Sequence, residues 1–369
     1  MSSPTKPIDR FFLVSTVLLS AAGFVIFLSA SMGLIAQNGA SFGTVAMKQA
    51  ISLLVGIGFF WAFSRIKYTH WRKWALFIML GALFINLLLF IPALTLHYNG
   101  ASRWINIGAL SFQPSEFLKI AFIVYLAAWI YFAKDHIKSF RYGLLPYIII
   151  MAILGTLLLV QSDTDTLVII GGTGIVMLGI AGISWRHVLL AALIGLVVVG
   201  GVIALRPYAL ERVKVFFNPS ANTQGSGYQI NQSKIAIGSG GWLGRGFGQS
   251  VQKFGYLPQP TDDSIFAVAA EEFGFVGGSL LLAFYCAFAL SALRVGTRAP
   301  DVFGGMVAIG IATLITAESF LNIAAMIGLM PVSGVPLLFV SHGGTALIIT
   351  LMAAGIVANI SKYGRNIQE

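Results

Sequence analysis

Residues 188–205 read VLLAALIGLVVVGGVIAL, eighteen consecutive positions without a charged or hydroxyl-bearing side chain. As a helix this run rises about 27 Å, close to the ~30 Å hydrocarbon core of a bilayer. Comparable runs lie near 11–35, 46–65, 75–95, 116–133, 143–161, 166–183, 263–292, 303–329 and 343–361. Short polar segments separate them, apart from one long interruption at about 206–262. The expected architecture is an all-α polytopic membrane protein with about ten transmembrane helices, residues 1–369 forming a single transmembrane domain. No internal repeat is evident, so the inverted-repeat plan of many secondary transporters is not expected.

Composition agrees. Apolar residues make up 57% of the chain, charged residues only 10%, and the mean hydropathy is +0.86. A soluble domain carries about 25% charged residues, so there is too little polar surface here to cover a water-soluble globule. The net charge of +10 does not point to nucleic acid, because the basic residues form short clusters between apolar runs rather than one stripe. The first run, from Phe11 to about Ala36, is too long for a signal-peptide core and is expected to be a retained span. Cys286, the single cysteine, lies in an apolar run and is expected to be a small core residue rather than a nucleophile.

The clusters also orient the chain. Lys6 and Arg10, Arg65 to Lys73, Lys134 to Arg141, Arg186, Arg294 and Arg298, and Lys362 and Arg365 all fall on one side if the number of spans is even. Basic loops stay in the cytoplasm, so both termini are expected there. The 206–262 connection, between spans seven and eight, becomes a large extracytoplasmic loop.

On this topology the costly polar residues collect at the outer side. Ser115 is placed to cap a helix opening at Pro114, and Glu116 suits its positive end. Lys119, three residues on, shares a face with Glu116, as a structural ion pair or as part of a site. Asp163 and Asp165 in the turn 161–166 can bind a cation or cap the next helix; with no third ligand nearby, the cap is expected. The stretch 227–248 is rich in glycine and carries Lys234 and Arg245, with Lys253 beyond, a pattern that spacing alone reads as a flexible loop and that, beside a membrane, also suits a phosphate-bearing lipid headgroup. Asp262 is expected to cap the eighth span and Asp263 to face an internal cavity, because lipid is the costlier alternative. Glu271 and Glu272 are expected to point to different sides of that helix, one of them tying it to a neighbour. Glu318 and Asn322 share a face of the ninth, where a hydrogen-bonded buried carboxyl is expected. The prolines and glycines of 331–344 suggest a broken or re-entrant segment, and His342 within it reads as a structural histidine.

Together these residues resemble a known family. Asn99-Gly100-Ala101-Ser102-Arg103-Trp104-Ile105, Gln113-Pro114-Ser115-Glu116-Phe117-Leu118-Lys119, the Lys234-to-Gly248 segment, Tyr256-Leu257-Pro258, Asp263-Ser264-Ile265-Phe266-Ala267-Val268 with Glu271-Glu272-Phe273-Gly274, and the Pro331-to-Gly344 turn look like the SEDS proteins (shape, elongation, division and sporulation; FtsW, RodA, SpoVE). They occur in the same order and cover nearly the whole chain. The resemblance implies a peptidoglycan glycosyltransferase that polymerises lipid II at the outer face of the bacterial cytoplasmic membrane. It also implies a class B penicillin-binding transpeptidase as partner, other divisome or elongasome proteins nearby, and no role for nucleic acid.

By motif, Asp263 corresponds to the family's essential aspartate, and Glu116 and Lys119 to supporting cavity residues. Arg103, Arg212, Lys234, Arg245 and Lys253 are the candidates for the donor's pyrophosphate. A pyrophosphate leaving group calls for cations or a divalent metal such as Mg2+ or Mn2+, with no organic cofactor; no ligand set for the metal stands out. The chain departs from the family pattern in places. Gln161-Ser162-Asp163-Thr164-Asp165-Thr166 stands for Q-P-D-x-G-T, Thr261-Asp262-Asp263 for H-T-D, His342 for a usual Tyr, Leu338 for a Pro and Glu318 for a frequent Gln. The D-S-I-F-A-V run and the Asp9-Arg10-Phe11 opening look more like FtsW than RodA. A lipid II flippase and a non-catalytic scaffold for a septal transpeptidase are the competing readings.

Overall fold

The computed structural model describes residues 6–38, 42–98, 101–107, 110–218 and 225–364. Asn99 and Gly100 of the family signature, residues 219–224 of the long connection and Arg365 lie outside them. Each apolar run has become a helix: α1 (Arg10–Asn38), α2 (Phe42–Arg65), α3 (Thr69–Leu87), α4 (Pro114–Ala133), α5 (Leu145–Val160), α6 (Thr164–Ile180) and α7 (Trp185–Leu205). The long connection holds α8 (Pro207–Phe217) and α9 (Ser226–Ser239), followed by α10 (Ile265–Thr297), α11 (Val302–Met326) and α12 (Gly344–Ser361). Among the described residues nine helices are long and apolar enough to cross a membrane, and α6, with 17 residues, is a shorter apolar helix. Between α3 and α4 the helical plan gains a small antiparallel sheet, β1 (Thr95–Tyr98), β2 (Ala101–Ile107) and β3 (Leu110–Phe112), in the order β1-β2-β3.

Burial sorts the helices. In α12, 83% of the apolar window is buried within the protein, against 6% in α7, so α12 is central and α7 lies at the rim. Cys286 is exposed on the outer face of α10 rather than in the core, because the helix turns its Tyr285 and Phe288 inward instead.

The basic clusters gather at one end of the bundle. There the Lys6 amide donates to the Lys362 carbonyl, the Asp9 amide to Ser361 Oγ and Lys362 Nζ to the Ser64 carbonyl. Arg72 pairs with Asp301 at 3.2 Å and stacks over Tyr131. Both ends of the described chain therefore share the end that carries the basic loops.

Helix α10 is broken at Gly274 (φ 66°, ψ −166°). The 23 residues beyond the break rise about 34 Å, enough for one crossing; residues 265–273 form a separate half-helix packed inside the protein. A break inside a membrane protein leaves orphan peptide groups that something must satisfy. The glycine-rich connection does so. The Glu271 and Glu272 carbonyls accept from the Arg245 and Gly246 amides at 3.0 and 2.9 Å, while the Phe275 and Val276 amides donate to the Gly241 and Trp242 carbonyls at 2.8 and 3.1 Å. The glycines of 240–246 thus serve close backbone packing: a Cβ on Gly274 would stand 2.3 Å from the Gly244 nitrogen, and one on Gly244 would stand 2.1 Å from the Glu272 carbonyl oxygen. The Gly274→Ala variant is expected to lose at least about 2 kcal/mol, combining a backbone conformation that only glycine adopts readily with that clash. Thermal unfolding in detergent measures it, with Gly81→Ala as control, since a Cβ on Gly81 meets nothing within 4 Å. Equal melting of the two variants would contradict this account of the break.

Both glutamates before the break hold the same loop, which corrects the expectation that they diverge. Ser250 donates its hydroxyl to Glu271 at 2.6 Å and its amide to Glu272 at 3.3 Å, and the Val251 and Gln252 amides donate to Glu271. They converge because the loop lies across the end of the half-helix and meets both faces there.

Candidate active site

At the end of the bundle opposite the basic loops, Asp263 precedes the half-helix of α10. Its main chain is held from several directions. Asn322 of α11 donates from Nδ2 to the Asp263 carbonyl at 2.8 Å and to the Val335 carbonyl at 2.9 Å. Ser341 Oγ donates to the Asp262 carbonyl, the His342 amide donates to the Thr261 carbonyl, and Gln229 of α9 donates to Ser264 Oγ. Gln259, in a left-handed conformation (φ 48°), lets its carbonyl accept from the Asp262 and Ser264 amides. The peptide framework is fixed, while among the described residues the Asp263 carboxylate receives no hydrogen bond. Burial pushes its pKa up to about 8, with Asp262 and Asp165 adding to the rise and Arg212 and Arg103 opposing it. A carboxylate so tuned is a stronger base than one in water.

Asp262 does not cap α10. The cap position is Ser264, and the Asp262 carboxylate instead faces His342 Nδ1 at 3.4 Å, the imidazole lying over Phe27. Ser115 is likewise no cap, because α4 opens at Pro114 with Gln113 in the cap position, and the Gln113 side chain donates to Ser115 Oγ. Asp163 does cap α6, accepting from the Thr166 amide at 3.4 Å.

Two of the five candidate cations reach Asp263's neighbourhood. Arg212, on α8, pairs with Asp165 at 3.4 Å, hydrogen-bonds the Tyr208 hydroxyl and lies over the Tyr208 ring. Arg103, on β2, hydrogen-bonds the Ser162 carbonyl and approaches Asp163 at 3.8 Å. Gly334 marks where the groups converge. A Cβ there would stand 3.6 Å from Arg212 Nη2, 3.9 Å from Asp165 Oδ2 and 4.0 Å from Asp263 Oδ2.

The other three lie elsewhere. Lys253 is fully buried, its ammonium 2.7 Å from Glu272 and 3.0 Å from Ser29 Oγ, so it joins α1 to the broken helix and cannot meet a lipid headgroup. Arg245 lies 3.6 Å from Glu271 and donates to the Ser239 carbonyl, clipping the same loop. Lys234 projects from α9 with its ammonium against Gly328 at the end of α11, and no ion pair holds it among the described residues.

Glu116 and Lys119 form a pair at 2.9 Å, and Glu318 of α11 completes it, with both carboxylate oxygens 2.7 Å from Lys119 Nζ. All three side chains are at most 4% exposed. Glu318 is thus the buried, hydrogen-bonded carboxyl expected on this helix, held across the bundle by Lys119. Glu318 and Asn322 are four residues, about 6 Å, apart along α11, so one helix anchors the buried triad and the Asp263 backbone. No described contact joins the Asp263 carboxylate to Glu116 or Lys119.

Among the described residues the protein by itself builds no full cage for a divalent cation. No group of three or more His, Cys, Asp or Glu side chains gathers at metal-binding distances among the described residues. Asp165, the carboxylate that converges with Asp263, already carries the Arg212 guanidinium. The cations that stand near Asp263 are Arg212 and Arg103. Arg206, unmarked in the sequence, holds the turn before α6 by donating to Ser162 Oγ at 2.9 Å and the Leu159 carbonyl at 2.6 Å. Its only signal was its place just before Pro207, at the start of α8.

Comparison with known proteins places this geometry. Residues 9–366 match the FtsW/RodA/SpoVE family, described as cell cycle protein. The chain is 37% identical to the stage V sporulation protein E of Bacillus subtilis over 361 residues, covering 98% of each. It is also 37% identical to a probable peptidoglycan glycosyltransferase FtsW of Geobacter sulfurreducens over 359 residues, covering 96% of each. Among solved structures, a chain from a peptidoglycan synthase complex that coordinates polymerization and crosslinking superposes with a TM-score of 0.79 at 23% identity, covering 96% of this chain and 97% of that one. The rod shape determining protein RodA of Thermus thermophilus superposes at 0.71 with 24% identity, covering 97% and 98%. At those identities the structures speak for the fold, and the sequence match speaks for descent: the chain belongs to the FtsW/RodA/SpoVE family of cell cycle proteins.

Proposed function

We propose that this protein is a peptidoglycan glycosyltransferase that polymerises lipid II at the outer face of the bacterial cytoplasmic membrane, with Asp263 as its base. The supporting observation is the convergence on Gly334 of a base-tuned carboxylate and a guanidinium, at the end of the bundle away from the basic loops. Basic loops stay in the cytoplasm, so that end faces outward and both termini face inward. There Asp263 takes the proton of the acceptor sugar hydroxyl as its oxygen bonds to the donor's anomeric carbon. The bond from that carbon to the pyrophosphate oxygen breaks, and its electrons leave with undecaprenyl pyrophosphate. Arg212 and Arg103 offset the charge that develops there.

A class B penicillin-binding transpeptidase is the proposed partner, together with other division or elongation proteins. The SpoVE and FtsW relatives support reading the chain nearer that branch. Purified protein given labelled lipid II, alone and with that transpeptidase, is expected to yield glycan polymer. Lipid translocation in sealed vesicles without polymer would favour the flippase reading instead.

The site carries a pH signature. Asp263 acts only when ionised, so kcat/KM is expected to rise with pH and reach half its plateau near pH 8, the value to which burial pushes the carboxyl. Asp262→Asn removes a neighbouring negative charge and should move that midpoint lower. A flat profile from pH 6 to about 9 would contradict the assignment.

A further inference from the structure

We propose that Asp165 is a positioning residue that clamps helix α8 over the active site and holds Arg212 beside Asp263 for the donor's pyrophosphate. The proposal rests on the glycosyltransferase reading. Asp163 already caps α6, so Asp165 is not needed for that purpose. Its Oδ2 instead accepts from Arg212 Nη1 at 3.4 Å and from the Gly334 amide at 3.3 Å. One oxygen therefore ties three separate pieces of chain, the start of α6, the middle of α8 and the turn at 334, around Asp263.

Helix α8 buries little of its surface. Val215 is its one buried residue, while Tyr208 and Phe217 are 65% and 79% exposed. Among the described residues the other contacts of the Arg212 guanidinium are with Tyr208, on the same helix, so they do not tie α8 to α6 or to the turn at 334. The side chains of Asp165 and Arg212 are 23% and 18% exposed, so water screens the pair in part. Its contribution is geometric: it sets where the guanidinium stands.

If Asp165 acts through Arg212, its effect must vanish when Arg212 is absent. Asp165→Asn, Arg212→Gln and the double variant are prepared as full-length chains, with folding checked by size exclusion and transpeptidase binding. Each is assayed with labelled lipid II. Asp165→Asn is expected to lower kcat/KM for lipid II about tenfold, equivalent to one displaced charged contact, with Asp165→Glu recovering part of it. In the Arg212→Gln background it should add nothing further. An unchanged kcat/KM in Asp165→Asn, or a full additional loss in that background, would overturn the proposal.

Thermal unfolding without substrate provides a separate arm. The two single losses in melting temperature should exceed the double-variant loss when summed, and strict additivity would refute the clamp. Absence of polymer from the wild type would instead refute the glycosyltransferase reading, leaving the clamp itself to be decided by the unfolding arm.

Discussion

Asp263→Asn is expected to lower lipid II polymerisation by about 10²–10⁴-fold, the contribution typical of a positioned general base, while the chain still folds and binds its transpeptidase. The amide keeps the shape and cannot accept the acceptor's proton. Asp262→Asn in the same assay should retain most activity, because that carboxylate faces His342 rather than the point where Asp263, Asp165 and Arg212 meet. Loss in Asp262→Asn with retention in Asp263→Asn would reverse the assignment.

The Asp263→Asn substitution should also stabilise the protein, and the sign follows from linkage. The folded carboxyl titrates near 8 against an ordinary value of 3.8, so between these values the folded state binds more protons than the unfolded one. Stability from this group is complete below about pH 4 and is lost as pH rises through about 8. The amide of the variant carries no such charge. Its melting temperature should exceed that of the wild type above pH 8, and the gap should close toward pH 4. A gap that does not vary with pH would place Asp263 in water.

Lys119→Met is the second large effect. It leaves Glu116 and Glu318 facing each other in a protein interior without their shared ammonium. Removing one partner of a buried ion group costs about 3–5 kcal/mol. Differential scanning in detergent should show a large fall in melting temperature, and adding Glu116→Gln and Glu318→Gln to Lys119→Met should recover much of it. A single variant as stable as the wild type would mean that water or another cation satisfies the carboxylates. The triad also bears on the reaction indirectly, since α11 holds both Glu318 and the asparagine that fixes the Asp263 backbone.

The spans were legible because lipid imposes a one-dimensional rule. Each crossing needs a long apolar run, and such runs appear whatever the helices later pack against. The sharing of one end by all the basic loops was legible for a similar reason, as was the pairing of Glu116 with Lys119, three residues apart on one helix. The sheet at 95–112 was not legible, because its pairing depends on neighbouring chain rather than on a helical period.

Charges were harder to read. Arg103, Arg212, Lys234, Arg245 and Lys253 are alike as basic residues near glycines, yet the fold uses them differently. Lys253 meets Glu272 and Ser29, 19 and 224 residues away in sequence, and Arg212 meets Asp165 across 47. The use of a charge is set by what lies within a few ångströms and by how much water remains there, and chain order does not state either quantity. The glycines of 240–248 show the same limit. They suggested an anion nest, and their amides and carbonyls instead close the break at Gly274. The sequence by itself determined the membrane spans, the family and Asp263 as the candidate base, since these rest on apolar run length and ordered motifs. Only the tertiary structure decided which cations stand beside Asp263, because that depends on contacts between elements distant in the chain.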